Sequence, residues 1–399
     1  MKLIARSAVF IALFAAILSF AKFENCRSNG WAPPSDYIHA CYSDLPALFG
    51  ERELITHDWP YSSATKAVEY PPITGLVMWA TSFLVGDSGN KYRNYFDINA
   101  LLIALLFIAS VLLLKKLKPE LWYLLPLAPA VVASLYINWD IWAVISSLAA
   151  IYLFDARKYR TSALLLGISI ATKFFPIVLL LPIALIFVRR SKFKQFIEYL
   201  ITTTITWLAI NLPFIFTTPT GWFRFFKLNS DRGADWGSIW HALNVLNVKI
   251  DNLNLISILF FITGASLFTL FIFGISEIPS LASVSFFIVA IFVTASKVYS
   301  PQYVLWLTPL AIIAMIDKKD RFDFWIWQSA ELIYHFAIWQ YLASLSGAKF
   351  AIPAGAYAFA ALLRITALAW FALRLMRRST PKFGPQNLEF LSNVGQGYA

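Results

Sequence analysis

Apolar runs long enough to cross, or nearly cross, a bilayer core of about 30 Å recur along almost the whole chain. A chain built this way must close every backbone hydrogen bond inside its own segments, so the expected architecture is a bundle of membrane helices. Of the 399 residues 59% are hydrophobic and only 14% charged. Soluble domains carry about 25% charged residues, which excludes an ordinary water-soluble globule. With 17% aromatic residues and 15 Trp, part of the aromatic content serves as interfacial anchoring and no single Trp is informative alone.

The first apolar segment, Ser7 to Phe20, follows Lys2 and Arg6 like a signal peptide. Ser19-Phe20-Ala21 puts Phe between the small residues a cleavage site needs, so an uncleaved first helix is expected. The net charge of +11 is explained by topology rather than by nucleic acid, since no arginine-rich stripe with interleaved aromatics appears. Cys26 and Cys41 both fall in the loop after that helix. A disulfide closing an exported loop and a pair of free thiols are both open.

Basic clusters set the orientation. Lys2/Arg6, Lys115-Lys116-Leu117-Lys118, Arg157-Lys158-Tyr159-Arg160, Arg189-Arg190-Ser191-Lys192, Lys318-Lys319-Asp320-Arg321 and Arg374 with Arg377-Arg378 all lie inside if an even number of crossings separates neighbours. Twelve crossings satisfy this: 5–22, 97–114, 120–137, 140–154, 161–172, 175–188, 196–216, 253–274, 281–297, 301–316, 322–343 and 354–374. The short apolar stretch Pro71 to Leu84 is then a helix lying in the outer interface, within a first extracytoplasmic loop spanning 23–96. A second large loop covers 217–252. Both termini are cytosolic, and the transmembrane domain 1–378 is followed by a cytosolic, disordered tail, 379–399. The crossings 161–172 and 175–188 are too short for a full bilayer, which leaves Lys173 at their tip inside the outer leaflet. An ammonium at that depth costs about 2.5–3.5 kcal/mol unless partnered, so a partner is expected.

The outer side collects most of the polar groups that topology leaves unexplained. The first loop holds His39, Tyr42, Asp44, Asp58, Glu69 and Tyr70. Asn138-Trp139-Asp140 follows the third helix, and the second large loop carries Asp231, Arg232, Asp235 and His241. Lys297 begins Lys297-Val298-Tyr299-Ser300-Pro301-Gln302-Tyr303. Lys173, Lys297 and Arg232 are expected to converge on a phosphate at the membrane boundary, although snorkelling explains many lysines at helix ends. No glycine-rich phosphate loop ends in Lys-Ser/Thr, and no Cys/His cluster has zinc spacing. Pro46, two residues after Asp44, rules out a metal-binding Asp-x-Asp pair there, so no metal or other cofactor is expected. Within the membrane Glu331 and His335 share one helical face, and a Glu331–Arg364 ion pair is expected to join the last helices in preference to a proton relay.

Tyr42-Ser43-Asp44-Leu45, Ala171-Thr172-Lys173-Phe174-Phe175-Pro176 and Lys297-Val298-Tyr299-Ser300-Pro301-Gln302-Tyr303-Val304-Leu305-Trp306 together resemble the GT-C superfamily of mannosyltransferases, nearest to the bacterial glycosyltransferase 87 family. The resemblance implies an inverting enzyme that moves a sugar, foremost mannose, from a polyprenyl-phosphate donor to a lipid or glycan acceptor. It implies Asp44 as catalytic base, and where some relatives carry a second acid this chain has Pro46, which favours a metal-independent reaction. Lys173, Lys297 and Arg232 would bind the donor phosphate. Tyr42, Glu69, Tyr70, Asp140, His241, Gln302 and Tyr303 are further substrate-contact candidates. Membrane lipids are the remaining partners, and nucleic acid is not one. A polyprenyl-lipid flippase and a non-catalytic cell-envelope assembly protein are the competing classes. A flippase predicts polar groups spread through the midplane and internal repeats, neither of which is seen.

Overall fold

The computed structural model describes residues 2–87 and 89–379. It is all-helical, with no strand among the described residues. Four helices are long and apolar enough to cross a membrane: Lys91–Leu117, Phe193–Thr217, Leu253–Gly274 and Ala354–Arg378. The tail expected from 379 onward lies, beyond Ser379, outside the described residues.

Local chemistry explains the boundaries. The Lys91–Leu117 helix starts where the Asn90 side chain accepts from the Arg93 N–H at 3.2 Å. It ends with Lys115 and Lys116 in the last turn, where cations complement the helix dipole. Its 27 residues reach about 40 Å. Leu101, Leu105, Ile201, Ile205, Leu267 and Leu270 are exposed on these long helices, the pattern of faces turned to lipid rather than water.

The run 120–137 departs from the expected single crossing. It forms two short helices, Leu124–Leu127 and Pro129–Ser134, broken at Ala128 with ψ of 114°. Pro129 forces the residue before it out of the helical region, so the apolar content is helical only in pieces. The Tyr159–Thr172 helix has 14 residues, about 21 Å, and a 3-10 turn over Phe175–Leu179 leads into Leu180–Arg189. Lys173 is the residue that ends the first arm, in extended conformation.

Packing brings the polar loops to one place. The Asp140–Asp155 helix packs on Tyr159–Thr172, which packs in turn on Phe193–Thr217. Asp320–Leu345 lies along Ala354–Ser379, and Arg378 ties the two through Asp320 and, at 2.7 Å, Asp323. The Pro72–Ser82 helix docks on Tyr159–Thr172, where Thr74 Oγ1 donates to the Thr172 carbonyl at 2.6 Å. That bond satisfies one of the carbonyls a helix end leaves open.

Cys26 and Cys41 are joined as a disulfide with Cα atoms 5.9 Å apart. It closes a loop that ends three residues before Asp44, and Trp31 Nε1 donates to the Cys41 carbonyl at 3.1 Å. Closing a loop of 15 residues stabilises by about 3 kcal/mol in the chain-entropy treatment. Cys26→Ser with Cys41→Ser is therefore expected to lower Tm in detergent and to raise protease cleavage within 26–41. Unchanged Tm and unchanged cleavage would show that the bridge does not hold this loop.

Candidate active site

Asp44 opens the Asp44–Glu51 helix, and its position is set by main-chain docking. Ser43 caps that helix by accepting from the Leu45 N–H at 3.2 Å and donates its own proton to the Tyr136 carbonyl at 2.7 Å. The Asp44 N–H donates to the Ile137 carbonyl at 2.8 Å. The first loop is thus anchored to the strip that precedes the Asp140–Asp155 helix.

The next residue of that strip completes the contact. Asn138 Oδ1 accepts from the Trp139 N–H at 2.6 Å, which turns its amide nitrogen outward. That nitrogen donates to Asp44 Oδ2 at 2.5 Å and to the Tyr70 hydroxyl at 2.7 Å. Tyr42 donates a second hydrogen bond to the Asp44 carboxylate. Burial pushes the Asp44 pKa up to about 6, opposed by the Tyr42 hydrogen bond, the charge of Lys173 and the Asn138 hydrogen bond. The charge of Asp44, followed by burial, holds the Tyr42 phenol well above its ordinary range, so it remains a protonated donor.

Lys173 has the expected acidic partner. Its ammonium meets Asp140 Oδ2 at 3.1 Å and lies 4.8 Å from the centre of the Tyr70 ring. Asp140 is fully buried, and Trp306 Nε1 donates to its other oxygen at 2.7 Å. Asp140 is therefore held as a buried counter-ion, and one of the three ammonium protons of Lys173 is committed to it. The Trp306 ring lies between Phe175 and Tyr303, with centroids 3.8 Å and 3.7 Å away. Glu69 faces Arg52 at 2.5 Å, and its charge still raises the Asp44 pKa slightly.

The expected convergence of three cations is corrected. The Lys297 ammonium is taken up by the carbonyls of Asn229 at 2.9 Å, Ser230 at 3.1 Å and Arg232 at 2.6 Å, together with the Asn254 side chain. Those acceptors use up its protons and make it a staple between two loops, leaving none for a phosphate. Arg232 pairs with Asp235 at 3.3 Å and keeps about a third of its surface exposed. Tyr303 sits between the two regions, within electrostatic reach of Asp140, Arg232, Asp235 and Asp44. Gln302 is buried, and its Oε1 has no hydrogen-bond partner among the described residues.

His241 belongs to a separate aromatic cluster, 4.6 Å from Trp236 and 5.7 Å from Tyr357 between ring centres. Burial holds its pKa below the usual histidine value. His39 is bonded to the Ser35 carbonyl at 2.8 Å. Glu331 and Arg364 are fully buried and face each other at 3.4 Å.

Sequence reasoning named Asn138 and Trp306 only within longer stretches and gave neither a role at the site. Asn138 lies directly between Ile137, whose carbonyl docks the Asp44 N–H, and Trp139, which precedes the Asp140–Asp155 helix. Nothing in local sequence marks Trp306 as a partner of Asp140, which lies 166 residues earlier. No protein-family model matches the chain, and no curated protein matches it in sequence.

Proposed function

We propose that this chain is an integral membrane glycosyltransferase of GT-C type. It transfers a sugar, mannose by the residue resemblance, from a polyprenyl-phosphate donor to a lipid or glycan acceptor outside the cytosol. The observation that carries the reading is Asp44: a half-buried carboxylate with a pKa near 6, ringed by hydrogen-bond donors and within reach of the Lys173 charge. A carboxyl perturbed by burial beside a specific charge partner is a functional-site candidate.

The chemistry follows from these groups. An acceptor hydroxyl gives its proton to Asp44 as its oxygen forms a bond to the anomeric carbon. The bond from that carbon to the phosphate oxygen breaks on the opposite face, so configuration inverts. A polyprenyl phosphate leaves as a stabilised anion, so no second carboxyl is needed to protonate it, unlike in glycoside hydrolysis. The uncommitted protons of Lys173 stabilise the charge that builds on that phosphate, and Arg232 stands at the rim of the neighbouring loop. The reading is metal-independent because the partners of Asp44 are N–H and O–H donors, while the nearby Glu69 is held by Arg52.

In this reading the membrane organisation is twelve crossings, the short 120–137 segment included as a broken one. Both termini are then cytosolic, and the Pro72–Ser82 helix lies in the outer interface. On this reading the 14-residue arm ending at Lys173 is too short to cross a full bilayer, which would leave the cation near the outer boundary, within reach of a donor phosphate.

The test is transfer of radiolabelled mannose from polyprenyl-phosphate-mannose by purified protein in detergent with a membrane-lipid and glycan extract as acceptor. Wild-type turnover that Asp44→Asn removes is the expected result. Equal label transfer by the two proteins would sink the assignment of Asp44. The pH dependence is specific as well: kcat/KM is expected to fall tenfold per pH unit below about pH 6, as the base becomes protonated, and to be flat from pH 7 to 8. A profile still flat at pH 5 would exclude Asp44 as the base.

A further inference from the structure

Beside Asp44, but not including it, lies a pocket of about 340 Å³ whose walls include Trp31, Asp36, Tyr42, Glu51 and Tyr92. Its floor is formed by Ser43, Pro46, Ala47 and Gly50, the cap and one face of the helix that Asp44 begins. Gly50 is what lets Tyr92 lie so close: a Cβ there would meet the Tyr92 ring at 3.0 Å. Behind the pocket the Cys26–Cys41 disulfide and the Trp31–Cys41 hydrogen bond fix one wall, and Phe49 meets the Tyr92 ring edge-on at 5.7 Å.

The lining chemistry selects a ligand. Asp36 is 2% exposed, forms no ion pair among the described residues, and its donors are backbone N–H groups, with Tyr37 N at 2.9 Å. Burial raises its pKa without a cation to offset the cost. Glu51 is exposed at the mouth, and Arg52 approaches it only to 3.9 Å. Carboxylates accept and never donate when ionised, so they call for a ligand rich in O–H or N–H donors. Three aromatic rings call for a ligand with apolar faces as well. A sugar ring offers both: hydroxyls for the carboxylates and C–H faces for Trp31, Tyr42 and Tyr92. The volume is within the range of small-ligand sites.

We infer that this pocket is a subsite for a neutral hexose of the acceptor, so that the acceptor is a glycan or glycolipid rather than a plain lipid or protein hydroxyl. The inference rests on the transferase reading given above. Tyr42 links the two sites, since it lines the pocket and donates to Asp44.

The experiment uses the full-length protein in detergent, with methyl glycosides of mannose, glucose and galactose as probes in ligand-observed NMR. At least one glycoside is expected to bind saturably. Tyr92→Ala and Asp36→Asn are each expected to weaken binding about tenfold, the loss of one well-placed contact. In transfer assays the same two variants should raise acceptor KM with little change in kcat. Tyr92 is partly exposed at a helix start, so its removal spares the fold, and unchanged Tm is the control. The inference is overturned if no glycoside binds, if neither substitution alters binding or acceptor KM, or if the pocket binds calcium or an organic ammonium instead. Saturable, Tyr92-dependent binding without any sugar transfer would uphold the pocket as a hexose site and overturn its role as an acceptor subsite together with the transferase reading. Transfer with unaltered acceptor KM would overturn the subsite alone.

Discussion

Asp44→Asn is expected to lower sugar transfer by about 10²–10⁴-fold, the usual contribution of a positioned general base, and to make the protein more stable at neutral pH. The two effects share one cause. Burial lifts the folded-state pKa of Asp44 from 3.8 to about 6. Stability associated with the protonated form is fully present below the unfolded value near 4 and is lost as pH rises through 6. Above pH 6 the folded protein therefore holds an ionised carboxylate against a penalty of about 3 kcal/mol, at 1.36 kcal/mol per unit. Asn is neutral throughout and can accept the Asn138 hydrogen bond through its own carbonyl. Thermal unfolding in detergent should show Asp44→Asn melting above wild type at pH 7.5, with the gap closing towards pH 4. A lower Tm at pH 7.5 together with lost transfer would mean that the substitution acts by damaging the loop, not by removing a base.

Arg364→Met is expected to cost about 3–5 kcal/mol, the range for removing one partner of a buried ion pair. The guanidinium carbon lies 3.6 Å from the centre of the Tyr299 ring and 3.5 Å from that of Tyr334. It donates to the Gly237 carbonyl at 3.0 Å and to the Tyr299 carbonyl, besides facing Glu331. Gly237 has a φ of 77°, and a Cβ there would collide with the Tyr299 oxygen and with Arg364 itself. One side chain thus joins the 232–238 loop, the 297–303 segment and the last two described helices. Glu331 would keep its Tyr299 and Trp327 donors at 2.7 and 3.1 Å but lose its cation. Adding Glu331→Gln should recover part of the loss, because it removes the charge left alone. Tm of the single and double variants checks this: a double variant no more stable than Arg364→Met would locate the cost in the rings and carbonyls instead of the charge pair.

How much of this was legible in the sequence differs by residue. The helix ends around Lys115-Lys116, Lys173 and Arg189 were readable, because a long apolar run between charges has few alternatives in lipid. The short arms beside Lys173 implied a buried cation and hence a counter-ion, but not which one. Pro129 carries the local signal for the break at Ala128, a signal that the apolar content of 120–137 hides. Lys297 misled for a different reason: an ammonium at a helix end looks the same in sequence whether it faces a phosphate or is consumed by carbonyls from a loop more than forty residues earlier.

By itself the sequence determined the helical class and the placement of chemistry-bearing side chains near helix ends. Those properties follow from local periodicity and from the cost of unpaired polar groups in a bilayer. Tertiary structure alone decided that Asn138 would hold Asp44, that Asp140 would take Lys173 and Trp306, and that Cys26 and Cys41 would meet. The first two join segments far apart in the chain, and for the cysteines local rules left the disulfide and the free thiols equally open. Only packing the helices selects among them, by fixing which orphaned donor and which buried charge come within reach of each other.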